Sequence, residues 1–201
     1  MKAKKLIAYS ILSLGILGAS YFIADQRIVD EKIGIFYDHA VYDDADKLSD
    51  EVSLIVSVTP TTDNKEVFEG GEYNDSYTIT NVTVDKIYKN SNDNTNSLEN
   101  LAVIERFFTV DNGLNPGRTK ILGEGYTPLI PGKKYILFLN WSNERQAYWI
   151  HAVNQGKINI DGQDTREISL ESHDDRFKIL RESVLKKYTT AIEDGAVQKV
   201  N

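Results

Sequence analysis

Three groupings of side chains in this 201-residue sequence have types and spacing that could do chemistry. Asp43, Asp44 and Asp46 crowd one short stretch, and clustered carboxylates can hold a hard divalent cation. A calcium loop needs further oxygen ligands, a glycine at a fixed offset and a distant Glu; these are missing, so the acids read as a solvated helix start. His39, His151 and His173 are isolated, with no second His or carboxylate three or four positions away on a helix, and make no zinc triad. Cys is absent, which excludes disulfides, thiolate-bound zinc, iron–sulfur clusters, thiol catalysis and lipid attachment through a Cys. No Ser has a G-x-S-x-G setting, and no glycine-rich loop leads into a helix to cradle phosphate.

Two further acids keep an enzymatic reading open. Glu105 lies beside Arg106 inside an apolar strand, and Asp111 follows it; a cell-wall hydrolase or transferase would need such a pair about 5–10 Å apart in a cleft. Neighbouring strand residues point to opposite faces, so one of Glu105 and Arg106 should point into the domain, where it needs a partner. Arg118, Tyr126, Trp141 and Arg145 lie in or beside two loops that could share one end of a barrel, and Tyr, Trp and Arg dominate protein interfaces. These four form the expected interaction surface. No catalytic residue, cofactor or metal ligand is assigned. Asn81-Val82-Thr83 matches the glycosylation pattern, but its strand-forming neighbours favour a plain strand.

The elements that must position these residues are mostly strands. In Pro131–Trp141, a Pro-Gly turn and two lysines precede Tyr135, Ile136, Leu137, Phe138 and Leu139 without polar interruption, which predicts a central strand covered on both faces. It should form a hairpin with Ala147–Val153 across a Ser142–Arg145 loop, with Leu139 facing Tyr148 and Leu137 facing Ile150. One side then carries Tyr135, Leu137, Leu139, Tyr148 and Ile150; the other carries Ile136, Phe138, Trp149 and His151 and needs a lid. The lid is expected in Asp174–Asp194, where Phe177, Leu180, Val184, Tyr188 and Ile192 recur at helical spacing and Gly195 supplies a stop. Further strands are predicted over Val52–Val58, closed by Thr59-Pro60, and over Tyr77–Tyr88 and Leu101–Val110. Lys65–Phe68, Lys157–Ile160 and Ile168–Leu170 could add short ones. Tyr42–Asp50 reads as a short helix, Asp25–Tyr42 as a connector and Asp111–Pro131 as a Gly/Pro-punctuated connection.

Ahead of these elements, Lys2, Lys4 and Lys5 precede the uncharged run Leu6–Ala24. As a helix, 19 residues span roughly 28 Å, close to the hydrocarbon thickness of a bilayer. The flanking charges place the N-terminus in the cytoplasm and everything after Ala24 outside. A cleaved secretory signal is the alternative and would leave the domain secreted. The formal net charge is −7 with all N-terminal charges positive, so the domain itself is acidic and disfavours nucleic acid as its partner. The organisation predicted is a membrane segment over residues 1–24, a connector with a short helix over 25–50, and an extracytoplasmic β domain with a C-terminal helix over 51–201.

In its order of segments the chain resembles an uncharacterised group of extracytoplasmic proteins of Gram-positive bacteria. Glu51–Val58, Val82–Asn90 ending in Ile-Tyr-Lys-Asn, Pro131–Leu139, Tyr148–Val153 and Gln155-Gly156-Lys157 carry the resemblance. The small barrel of that group is similar to the oligonucleotide/oligosaccharide-binding (OB) fold and to netrin-like inhibitor domains. Netrin-like domains rely on disulfides and an N-terminal Cys, so inhibitory activity does not carry over, and the resemblance implies no active site. The expectation is a mainly β fold: a small antiparallel OB-like barrel or closed sheet with an amphipathic C-terminal helix and one N-terminal transmembrane helix. The function expected is non-enzymatic binding of a protein or cell-wall ligand at the membrane surface. The carboxylate enzyme and a nucleic-acid-binding OB-like domain are the alternatives.

Overall fold

The computed structural model describes residues 20–34, 40–69, 76–91 and 98–197. Its organising element is the strand Tyr135–Ser142 (β7), whose first five side chains are fully buried. Alternation along β7 sends Tyr135, Leu137 and Leu139 into one core and Ile136 and Phe138 into another. Water is thus excluded from both faces, as the unbroken apolar run requires.

The first core lies among β7 and four other strands, Leu54–Val67 (β2), Tyr77–Asn90 (β3), Asn100–Glu105 (β4) and Ala147–Ile150 (β8). Hydrogen bonding runs in the order β2-β3-β4-β8-β7, with the short strand Lys157–Asn159 (β9) also on β7. β2 pairs in addition with β7, from Leu54↔Leu139 to Val58↔Tyr135, so the order returns to its start. All these pairs are antiparallel except β4–β8. A second sheet, Ile28–Ile33 (β1), Arg118–Leu122 (β6) and Phe107–Asp111 (β5), has β1 parallel and β5 antiparallel to β6. Both sheets are therefore mixed.

The second core lies between the outer side of β7 and helices Ala45–Asp50 (α1) and Asp175–Val197 (α3). Phe177, Leu180, Val184 and Tyr188 of α3 are buried there, as their spacing predicts, and each contributes about 1.5–3 kcal/mol by burial. The helix continues past Gly195 to Val197. Between β9 and α3 lies a third helix, Thr165–His173 (α2), capped by the Asp164 carboxylate, which accepts from the amides of Arg166 and Glu167 at 3.1 and 3.2 Å.

A buried charge cluster binds the helices to the sheet. Lys157 Nζ lies 3.6 Å from Asp164 and 3.8 Å from Glu167, and Arg181 Nε lies 3.2 Å from Glu167. The Lys157 ammonium also sits over the rings of Tyr126 and Tyr135. Burial raises the Glu167 pKa; Lys157, the Asn159 amide and Arg181 oppose the shift.

Several expectations are corrected. The Val52–Val58 strand starts at Leu54 and runs through Pro60 to Val67, absorbing the separate strand expected at Lys65–Phe68. Pro60 is tolerated because the β7 pairing ends at Val58 and only its carbonyl is used on that side, accepting from the Gly132 amide at 2.8 Å. Leu101–Val110 is two strands in different sheets, broken at Arg106, whose carbonyl accepts from the Gly123 amide. Asp111–Pro131 contains β6, Asp25–Tyr42 contains the exposed strand β1, and Ile168–Leu170 is helical under the Asp164 cap. The β7–β8 hairpin pairs Leu139 with Ile150 and Trp141 with Tyr148, two residues from the expected register, around a turn at residues 143–146. A two-residue slip leaves every side chain on its predicted face.

Of the run Leu6–Ala24, residues 6–19 lie outside the described residues; residues 20–25 are helical. No helix among the described residues is long and apolar enough to cross a membrane. The acidic stretch forms α1: Asp44 caps it, Asp43 pairs with Lys47 at 2.9 Å and Asp46 with Lys187 at 2.5 Å.

Truncating Phe138 to Ala should cost about 3–5 kcal/mol in urea unfolding, because a large side chain sealed on all sides leaves a cavity. Ile179→Ala, at an exposed position of α3, should cost less than about 0.5 kcal/mol.

Candidate functional site

A cleft of about 540 Å³ opens between the two sheets. One wall is apolar and comes from the small sheet: Phe108 and Val110 on β5 and Ile121 on β6. Opposite stand Ile104 of β4 and Trp149 of β8. The break at Arg106 makes this space, because it turns the chain out of one sheet and into the other.

Charged groups sit at two positions. Arg106, which lines the cleft, pairs with the buried Glu124, a residue held in the left-handed region (φ 55°) between two glycines. At the rim, the β7–β8 turn presents Arg145, whose guanidinium carbon lies 4.5 Å from the centre of the Tyr77 ring. Arg145 Nη2 donates to Glu69 at 3.2 Å, and the Tyr77 hydroxyl donates to the same carboxylate at 2.9 Å. Burial, and then Glu69, raises the Tyr77 pKa. Arg145 Nε is buried and has no hydrogen-bond partner among the described residues.

Beneath the cleft lies a network that is satisfied. Glu105 points inward and accepts from Thr80 Oγ1, from the Tyr126 hydroxyl at 2.9 Å and from the Leu129 amide at 2.7 Å. Burial raises its pKa; these donors oppose the shift. Tyr126 is driven well above the usual phenol range by burial and by the Glu105 charge. Glu105 is thus the inward member of the Glu105–Arg106 pair. Its carboxylate is spent on three donors, while the exposed Asp111 accepts from the Gly113 amide in a turn.

Of the four residues expected to form an interaction surface, the cleft brings together Tyr126 and Arg145. Arg118 lies on β6 with its guanidinium 3.7 Å from Glu66, and Trp141 packs edge-on against Tyr148 and donates to Asn143. Neither lines the cleft. Trp149, expected beneath the C-terminal helix, lines the cleft instead, as do Tyr77, Phe108 and Glu124, none of which was expected there; only the Gly-Glu-Gly triplet at 123–125 gave a local signal, that of a strained turn.

His151 Nε2 and the Tyr42 hydroxyl lie 2.9 Å apart, beside Trp149, and His173 ends α2 against the Ser169 carbonyl. His39 lies outside the described residues. Among the described residues no three His, Asp or Glu side chains gather into a metal site. Comparison with family models, curated proteins and solved structures finds no match to this chain.

Glu105→Leu strands three buried donors and should cost about 3 kcal/mol or more in urea unfolding, whereas Glu105→Gln, which can rebuild most of the bonds, should cost about 1 kcal/mol. Burial lowers the His151 pKa below 6.5, with Glu51 opposing, so its neutral form supports the fold. That contribution is complete above pH about 6.5 and is lost as pH falls through the folded-state value. Urea titrations at pH about 7.5 and about 5.5 should show wild type losing ground to His151→Gln at the lower pH.

Proposed function

We propose that this chain is a non-enzymatic binding module, an OB-like barrel held outside the cytoplasm, which takes its ligand in the cleft between the two sheets. Support for the barrel comes from the pairing order β2-β3-β4-β8-β7 and back to β2, with one parallel pair at β4–β8. In OB-like barrels, ligands meet the face of the second and third strands and the loops after the first and fourth. In this chain the corresponding pieces are β3 with β4, the β2–β3 connection ending at Ser76, and the β7–β8 turn carrying Arg145; all contribute to the cleft. The observation that carries the reading is Arg145, stacked on Tyr77 and lining, with Trp149 and Phe108, an apolar and aromatic cleft. It favours a ligand that joins a flat apolar face to an acceptor or anionic group. Tethering rests on Lys2, Lys4 and Lys5 followed by the uncharged Leu6–Ala24. Removal of that run as a signal would leave the same module secreted.

The test is a screen of the full chain on arrays of acidic glycans and anionic peptides, followed by titration of whatever binds. Arg145→Ala and Trp149→Ala should each weaken binding by about tenfold or more, whereas Trp141→Ala, outside the cleft, should change it less than about threefold. Equal binding by all three variants would place the ligand elsewhere. Affinity falling steeply with salt toward single-stranded nucleic acid would favour the nucleic-acid reading instead.

A further inference from the structure

The exposed apolar residues at the start of the described chain are fastened to a second exposed element. Residues 20–25 are helical, and Tyr21, Phe22 and Ile23 are exposed. Three residues after the helix ends the chain enters β1. The Arg27 amide donates to the Ala24 carbonyl at 3.2 Å, the Gly117 amide to Asp25 at 3.3 Å and the Arg118 amide to the Arg27 carbonyl at 2.8 Å. β1 then runs parallel to β6 from Ile28↔Arg118 to Ile33↔Leu122. The connection from the apolar run to the domain therefore has almost no slack.

This splice sets the β5–β6 turn beside the helix end. The Tyr21 hydroxyl donates to the Leu114 carbonyl at 3.4 Å. Leu114, at the tip of that turn, is 96% exposed and is the barest large apolar residue among those described. The turn, Asn-Gly-Leu-Asn-Pro-Gly over residues 112–117, contains no charge in an otherwise acidic chain. An uncharged tip led by a bare leucine, level with exposed Tyr and Phe at the end of an uncharged 19-residue run, has the chemistry of the boundary between headgroups and acyl chains.

We propose that the 112–117 turn is a second membrane contact: it dips Leu114 into a phospholipid surface beside the emerging helix and so fixes the domain's orientation on the bilayer. The proposal rests on the reading of Leu6–Ala24 as a membrane anchor, and it makes the domain a seated body rather than one swinging on a tether. The occupant is lipid because the residues leading into the patch, 6–19, are themselves uncharged and end where the patch begins.

Because the chain has no Cys, single cysteines can be placed and spin-labelled without background. The full chain is reconstituted in phosphatidylcholine/phosphatidylglycerol vesicles with labels at Leu114→Cys, Phe22→Cys or Glu182→Cys, all at exposed positions where substitution spares the fold. Labels at 114 and 22 should collide readily with oxygen and be shielded from a water-soluble nickel chelate, at depths within about 5–10 Å of the headgroup boundary, while 182 stays aqueous. A label at 22 in lipid with 114 as aqueous as 182 would overturn the seated turn and leave the anchor standing. Aqueous labels at both 22 and 114 would overturn both. Dipolar broadening between labels at 114 would assign the patch to a second copy of the chain and likewise defeat the proposal.

Discussion

The structure depends on keeping water from both sides of one strand. β7 is apolar without interruption over five residues, so neither face can be left wet; one face packs in the core it shares with β2, β3, β4 and β8, while β2 pairs along its edge. The other face is met by α1 and α3, whose buried residues make a core separate from the first. A sheet left open at β2 would expose the β7 edge along the whole paired stretch from Val58 to Leu54. Pairing of β8 with β7 in turn places the turn that carries Arg145.

Polar groups inside this shell set its geometry. Glu105 ties β3, Tyr126 and Leu129 together, while Lys157, Asp164, Glu167 and Arg181 hold the helical layer to the end of β7 and β9. Buried charges of this kind add little net stability compared with apolar packing, but misplacing one partner is costly. They therefore select one arrangement of sheet and helices. The cleft inherits that arrangement, since Tyr126 belongs both to its lining and to the Glu105 network.

What was legible in the sequence followed from period and run length. The five apolar residues of β7, the faces of its hairpin and the three-and-four spacing of α3 are local patterns, and they specify burial directly. The break at Arg106 was not legible, because Glu105 and Arg106 read equally well as the inward and outward members of one continuous strand; the strand is divided by a distant bond from Gly123 and by pairing with β6. β1 and β6 belong to a small sheet with little buried surface, so they lack the alternation that marks a half-buried strand. The hairpin slipped by two residues because alternation fixes faces and not register, which the turn decides. Two of the expected interaction residues reached the cleft, Tyr126 and Arg145. Its walls did not show themselves in advance, because they are assembled across a sheet boundary that sequence pattern does not reveal.

The sealed ribbon is tested most directly by native-state hydrogen exchange of the backbone amides of residues 135–139. The account predicts that they exchange only through global unfolding, with opening free energies equal to the stability from urea titration, while the exposed strand β1 opens at far lower cost. Exchange of those five amides at the rate of β1, or through an opening several kcal/mol below global unfolding, would contradict it.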